Sequence, residues 1–151
     1  MLNLTLKKNK SFVLSKTENK DVLPNQYKIK ICYTGICASD IPRAFKKGAY
    51  FYPLVLGHEF SGKIVERGKK AKKFNINDSV SAFPLIPTCN NCASCKKKQY
   101  HLCEQYSYYG SRENGSLSEF LNVNEWNIFK VDRNFPLKLA SLFEPISVTY
   151  N

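Results

Sequence analysis

Apolar and polar side chains alternate most strictly in YKIKICY, which puts Tyr27, Ile29, Ile31 and Tyr33 on one face and Lys28, Lys30 and Cys32 on the other. A period of two rich in β-branched and aromatic residues predicts a half-buried strand. FSGKIVERG reads as a second strand, with Gly62 marking a bulge or a close backbone approach. FNINDSVSAF reads as a turn followed by a strand, with Asn77 taking the left-handed conformation at the turn. LSEFLNV and WNIFKV read as two more strands around a turn at Asn124. Helical signals are few. SDIPRAFKKG suits a short helix capped by Ser39 or Asp40 and ended by Gly48, and PLKLASLFE a helix opened by Pro136. Short strands with frequent turns predict a mainly β fold, a small barrel or sandwich. There is no internal repeat and no low-complexity linker.

Composition narrows the class. The 151 residues suffice for one domain with a real core. The longest apolar run, YFYPLVLG, is far short of the roughly 18 residues that a membrane span needs. The opening MLNLTLKKNKSF has no signal-peptide core, so a cytoplasmic location with reduced thiols is expected. The net charge of +11 raises the question of a polyanion partner. Of the 23 basic residues 19 are lysine and 4 arginine, whereas base and phosphate recognition favours arginine forks. A solvated basic surface is therefore expected, with GKKAKK and CKKKQ facing water, and no specific nucleic-acid partner.

The cysteines carry the sharpest signal. Cys89, Cys92, Cys95 and Cys103 follow the spacing C-x2-C-x2-C-x7-C inside residues 88–105. Short spacers let successive thiolates converge on one soft tetrahedral ion, usually zinc. The rival is an iron–sulfur cluster. The ferredoxin pattern, however, continues with x3-C-P, and here the fourth cysteine comes later and precedes Glu104. A closed four-thiolate site leaves no position for substrate, so its role is structural. His101, inside the loop, is expected to be a surface residue rather than a ligand.

A second constellation is dispersed. GICASD holds Cys37, Ser39 and Asp40, GHEF holds His58 and Glu59, and FEPIS holds Glu144. Singly, a cysteine and a histidine read as buried structural residues. Together with a carboxylate they suit a metal site with three protein ligands and one open position.

The segments GICASD, PLVLGHEFSGKIVERG, NDSVSAFPLIPTCNNCASCKKKQYHLC, GSRENGSLSEFLNV and FEPISV, in this order, resemble the zinc-containing medium-chain alcohol and polyol dehydrogenases. The resemblance runs from about residue 22 to the end. SDIPRAFKKGAYFYPLVLGHEFSG and YYGSRENGS are most similar to members acting on polyol phosphates. What the resemblance implies is a GroES-like β-barrel with a zinc-binding lobe and few short helices. Cys37, His58 and Glu144 would ligate a catalytic zinc, with Glu59 as alternative ligand or water-orienting group. Ser39 would relay the substrate proton, and Asp40 would accept a hydrogen bond from the His58 ring. Cys89, Cys92, Cys95 and Cys103 would hold a second, structural zinc. The implied substrate is a polyol or a sugar-alcohol phosphate of the galactitol 1-phosphate kind, and the implied assembly of full-length members is a homo-oligomer.

Hydride transfer would need NAD(P), yet these residues contain no G-x-G-x-x-G and no acidic residue following it. A Rossmann domain is thus absent from residues 1–151. The expectation is an incomplete catalytic domain, inactive alone, with Glu144 in a frayed C-terminal stretch. The alternative is a stand-alone zinc-binding interaction module. For Arg43, Lys46 and Lys47 the plain reading is a solvated helix face, and the sharper one attraction of a sugar phosphate. Cys32 is expected to be an inert buried thiol.

Overall fold

The computed structural model describes residues 1–86 and 89–150. Thr88, the first residue of the expected lobe, and the final Asn151 lie outside the described residues. The strands are β1 (Leu2–Lys8), β2 (Ser11–Lys16), β3 (Gln26–Thr34), β4 (Leu54–Val55), β5 (Phe60–Arg67), β6 (Ser79–Ala82), β7 (Leu85–Ile86), β8 (Ser107–Tyr108), β9 (Phe120–Asn124) and β10 (Ile128–Lys130). The α-helices are short: α1 (Asp40–Phe45), α2 (Ala93–Lys96), α3 (Leu137–Ala140) and α4 (Phe143–Tyr150).

An antiparallel five-stranded sheet, ordered β10-β6-β5-β3-β9, is the frame. Its inner face buries Tyr27, Ile29, Phe60, Ile64, Val80, Leu121 and Val123 together with Phe74 and Tyr109. A three-stranded sheet, β2-β1-β4, closes one side over a smaller cluster of Leu6, Ala44, Leu54 and Leu56. Residues 117–119 join the two sheets: Leu4 N–H donates to the Leu117 carbonyl, Glu119 N–H to Leu2 and Ile31 N–H to Glu119. The result is the mainly β architecture that the period-two segments predicted.

Several local expectations hold. Asn77 has φ 70°. At Gly62 an added Cβ would lie 2.2 Å from the Lys30 carbonyl oxygen, so the neighbouring strand backbone requires glycine there. Gly48 stands just past α1 with φ 85°, and Ser39 occupies the N-cap position, although its side chain makes no capping bond. The lysines of GKKAKK and CKKKQ are exposed.

Others are corrected. The alternation of β3 fails at its C-terminal end, because the register against β5 shifts between Ile31 and Tyr33. Tyr33 is exposed as a result, and Cys32 is an exposed thiol rather than a buried one. The segment from Pro136 to Glu144 is two helices rather than one. Pro145 has no N–H for the Ser141 carbonyl, so the ladder breaks and restarts as α4. LSEFLNV and WNIFKV do contain two strands, β9 and β10, on either side of a turn that begins at Asn124, as expected. Glu125–Asn127 is a 3-10 turn that carries the chain to the opposite edge of the sheet. Asn127 is pinned there by donating Nδ2 bonds to the carbonyls of Phe83 and Leu85. The first sixteen residues, given no element from the sequence, form the β1–β2 hairpin, with Lys10 at φ 62° in its turn.

Candidate metal centre

Two short connections and the start of a helix carry the dispersed constellation to one cavity. Cys37 lies between β3 and α1, His58 and Glu59 immediately precede β5, and Glu144 lies in the first turn of α4. One ligand atom each of Cys37, His58 and Glu59 lie within 4.8 Å of one another. His58 and Glu59 are buried, at 3% and 7% exposure. These three line a cavity of about 720 Å³ together with Ser39, Tyr108 and Glu144.

Glycines make the convergence sterically feasible. Gly57, at φ 95°, turns the chain so that His58 enters the cavity wall. At Gly35 an added Cβ would fall 2.2 Å from Glu59 Oε2. The missing side chain at Gly35 is therefore the space that the Glu59 carboxylate occupies.

Around these groups the polar contacts are specific. Ser39 N–H donates to the Cys37 sulfur at 3.5 Å, and Cys37 N–H donates to Asp40 Oδ2 at 3.3 Å. The other Asp40 oxygen accepts from Arg43 at 2.9 Å. His58 Nδ1 is 3.8 Å from that same oxygen, longer than a hydrogen bond, and is a buried nitrogen with no partner. The Tyr108 ring meets His58 edge-on at 5.6 Å, and its hydroxyl donates to Glu144 Oε1 at 3.0 Å. Glu144, 6% exposed and helical, is held rather than frayed. Burial pushes the Glu144 carboxyl above its ordinary pKa, with the nearby Glu59 and Asp40 carboxylates adding to it, against the Tyr108 bond and His58. Burial likewise raises the Tyr108 phenol, with Glu144 the next cause.

A metal ion fits this donor set. One thiol, one imidazole and a carboxylate are the ligand types of zinc sites with an open position. Crowded carboxylates and an unpartnered buried histidine are the environment that a bound cation would relieve.

The second cluster is separate. The sulfurs of Cys89, Cys92, Cys95 and Cys103 lie within 4.8 Å of one another in a lobe containing α2 and the 3-10 turn Tyr100–Leu102. Amide donors from Glu104 and Cys95 lower the Cys92 thiol to about 6, whereas burial pushes Cys95 up to about 12. Four thiolates so close repel unless a cation neutralises them, which again suits zinc. His101 is exposed, as expected, but it also lines the cavity of the first cluster.

Sequence reasoning singled out neither Tyr108 nor Arg112, and both line that cavity. Their only signal was membership of the YYGSREN stretch. Lys46 and Lys47 are not among its lining residues, whereas Arg43 is.

This architecture, with a four-thiol cluster and a separate Cys–His–carboxylate cluster, defines a class. Residues 23–133 match the alcohol dehydrogenase GroES-like domain, and the chain belongs to that family. Among individual relatives it is similar to galactitol 1-phosphate 5-dehydrogenase of Escherichia coli K12, at 39% identity over 124 residues, which is 82% of this chain and 36% of the relative. D-arabitol-phosphate dehydrogenase of Enterococcus avium is 38% identical over 122 residues, 79% of this chain and 34% of the relative. The crystal structure of galactitol-1-phosphate dehydrogenase from Escherichia coli superposes with a TM-score of 0.94 at 32% identity, covering 99% of this chain and 43% of that one. The chain thus spans well under half the length of these relatives. No helix among the described residues is long and apolar enough to cross a membrane.

Proposed function

We propose that this chain supplies the zinc-binding catalytic domain of a dehydrogenase that oxidises a polyol or a sugar-alcohol phosphate with NAD(P). The observation that carries the reading is the convergence of Cys37, His58 and Glu59 on the wall of a cavity that also holds Ser39 and Glu144. Cys37 and His58 would hold the ion with one of the two carboxylates. Glu59 already sits in the cluster, while Glu144 lines the same cavity with its Oε1 accepting from Tyr108. The two carboxylates therefore divide the roles of ligand and of group orienting a water or hydroxyl. Bound there, zinc supplies Lewis acidity, lowering the pKa of an alcohol oxygen.

The remaining steps belong to side chains of this chain. A thiolate and one carboxylate match the two charges of the ion. Ser39, exposed at the cavity rim, accepts the substrate hydroxyl proton and passes it to water. Its backbone N–H is directed at the Cys37 sulfur, at 3.5 Å. The four-cysteine lobe would hold a structural zinc, and it contributes His101 to the cavity lining. The nicotinamide would be bound by a domain outside residues 1–151, since they lack the dinucleotide fingerprint.

The test is a count of zinc per chain by native mass spectrometry on protein purified without chelator. Two ions are expected in the wild type, one in Cys37→Ser and one in Cys89→Ser. A single ion that survives Cys37→Ser but not Cys89→Ser would overturn the catalytic reading and leave a zinc-binding module.

A further inference from the structure

Positive charge at the cavity rim is unevenly used. The lining residues include two arginines and no lysine. Arg43 is engaged, with Nη1 2.9 Å from Asp40 Oδ1 and only 18% of its side chain exposed. Arg112 is in no ion pair among the described residues. Instead its guanidinium is clamped between two rings, 4.5 Å from the centroid of Tyr50 and 4.6 Å from that of Tyr106. One Nη donates to the Tyr106 hydroxyl at 3.3 Å. An arginine has five N–H donors, so most of this fork is uncommitted.

Such a clamp has a physical consequence. Flanking aromatic faces fix the plane of the guanidinium and leave its N–H edge to hydrogen-bond. The ordering entropy that a free arginine loses on gripping an anion is already largely spent. The backbone that carries Arg112 is also packed against the metal-ligand loop. Gly110 and Gly115, on either side of Arg112, pack on the Gly57 carbonyl, where added Cβ atoms would lie 2.4 and 2.0 Å away. Gly57 precedes His58 directly. Arg112 therefore lies on the same cavity as the Cys37–His58–Glu59 cluster.

We infer that Arg112, held between Tyr50 and Tyr106, is the specificity residue that binds the phosphate monoester end of the substrate while its hydroxyl end lies at the metal cluster. A planar fork with two parallel donors matches a phosphate, and a dianion is the partner that an unpaired cation in a mixed-charge cleft selects. The buried Ser111 beside it lines the same cavity and offers a further donor. This rests on the polyol-phosphate reading and deepens it. The sequence-derived candidates Arg43, Lys46 and Lys47 are displaced: the first is neutralised by Asp40 and the other two lie off the cavity.

The experiment titrates zinc-loaded protein with inorganic phosphate, galactitol 1-phosphate and galactitol, following phosphorus resonances and calorimetry. Wild type is expected to bind inorganic phosphate, and to bind galactitol 1-phosphate about ten-fold or more tighter than galactitol, the scale of one charge-assisted contact. Arg112→Gln should abolish the phosphate binding and close that gap while leaving galactitol binding unchanged. Arg112→Lys, which keeps the charge but loses the fork, should fall between. Cys37→Ser should keep the inorganic phosphate binding, because the clamp does not depend on the metal cluster. The inference is overturned if wild type binds no phosphate, if Arg112→Gln binds it as wild type does, or if Cys37→Ser abolishes it. Phosphate binding that depends on Arg112 with no affinity for galactitol would sink the dehydrogenase reading and spare this one.

Discussion

Glu125, in the 3-10 turn, joins β3 and the loop between β5 and β6 at one carboxylate. Its Oε2 accepts from the Tyr27 hydroxyl at 2.9 Å and from the backbone N–H of Lys72 and Lys73 at 2.8 and 3.0 Å. Tyr27 is fully buried, and its hydroxyl also accepts from Phe74 N–H at 2.9 Å. The Lys73 amide is the largest cause holding the Glu125 carboxyl below its ordinary pKa, against some desolvation. The folded value is thus lower than the unfolded one. This stabilisation is complete above the ordinary carboxylate pKa and is lost as pH falls through the depressed folded value. Glu125→Gln should lower unfolding free energy by about 1 kcal/mol at neutral pH, after allowing for partial exposure. The difference between wild type and variant should shrink towards zero in acid. Urea unfolding of both proteins at neutral and acid pH measures it, and a pH-independent difference would show that the charge plays no part.

Among the elements, the cysteine lobe depends most on something beyond its own backbone. Its helix α2 has four residues and its 3-10 turn three, too short to persist without tertiary anchors. The thiol quartet supplies the anchor on one side. On the other, Tyr100 from the lobe meets Trp126 edge-on at 5.4 Å, with Phe83 at 6.4 Å. Trp126 is the chain's single tryptophan, so its fluorescence reports the lobe. Removing metal with a chelator, or Cys89→Ser, should shift its emission to the red as Tyr100 withdraws. Cys37→Ser should leave the emission as in wild type. An unchanged spectrum after chelation would mean that the lobe keeps its shape without metal.

Across the whole molecule, the site hangs on a contact between two distant stretches of backbone. Gly57, Gly110 and Gly115 approach so closely that a Cβ on Gly115 would lie 2.0 Å from the Gly57 carbonyl oxygen and 2.6 Å from the Gly110 Cα. Ser116 N–H donates to that carbonyl at 2.9 Å, and the Ser116 and Thr34 hydroxyls share a 2.6 Å bond. The loop bearing His58 and Glu59 is thereby fastened to the loop bearing Arg112. Gly115→Ala forces the two backbones apart and should cost about 2 kcal/mol or more. It should also reduce zinc occupancy at Cys37 and His58 while sparing the lobe. Denaturation curves with zinc counts on the same samples check both. Gly48→Ala is the comparison: at φ 85° it also costs stability, but Gly48 lies off the cavity, so zinc occupancy should stay as in wild type.

What was legible beforehand follows from the range of the interactions involved. Thiol spacing is a local property, so Cys89, Cys92, Cys95 and Cys103 could be read as one cluster from the chain alone. Alternation identified β3 and β5, and side-chain chemistry placed Asn77 in a left-handed turn, because each depends on a few neighbouring residues. The mainly β class followed from these. Tertiary structure decided the rest. A bulge between β3 and β5 exposed Cys32, and β9 and β10 went to opposite edges of the sheet. Glu59, rather than Glu144, sits with Cys37 and His58, because the space opposite Gly35 admits its carboxylate. Arg112 became the uncommitted cation of the cleft only because Tyr50 and Tyr106, far apart in the chain, close on it, while Asp40 engages Arg43. Periodicity and spacing record which residues a short segment brings together; they carry no information on which backbones come within 3 Å across the fold, and that approach sets the chemistry of the cavity.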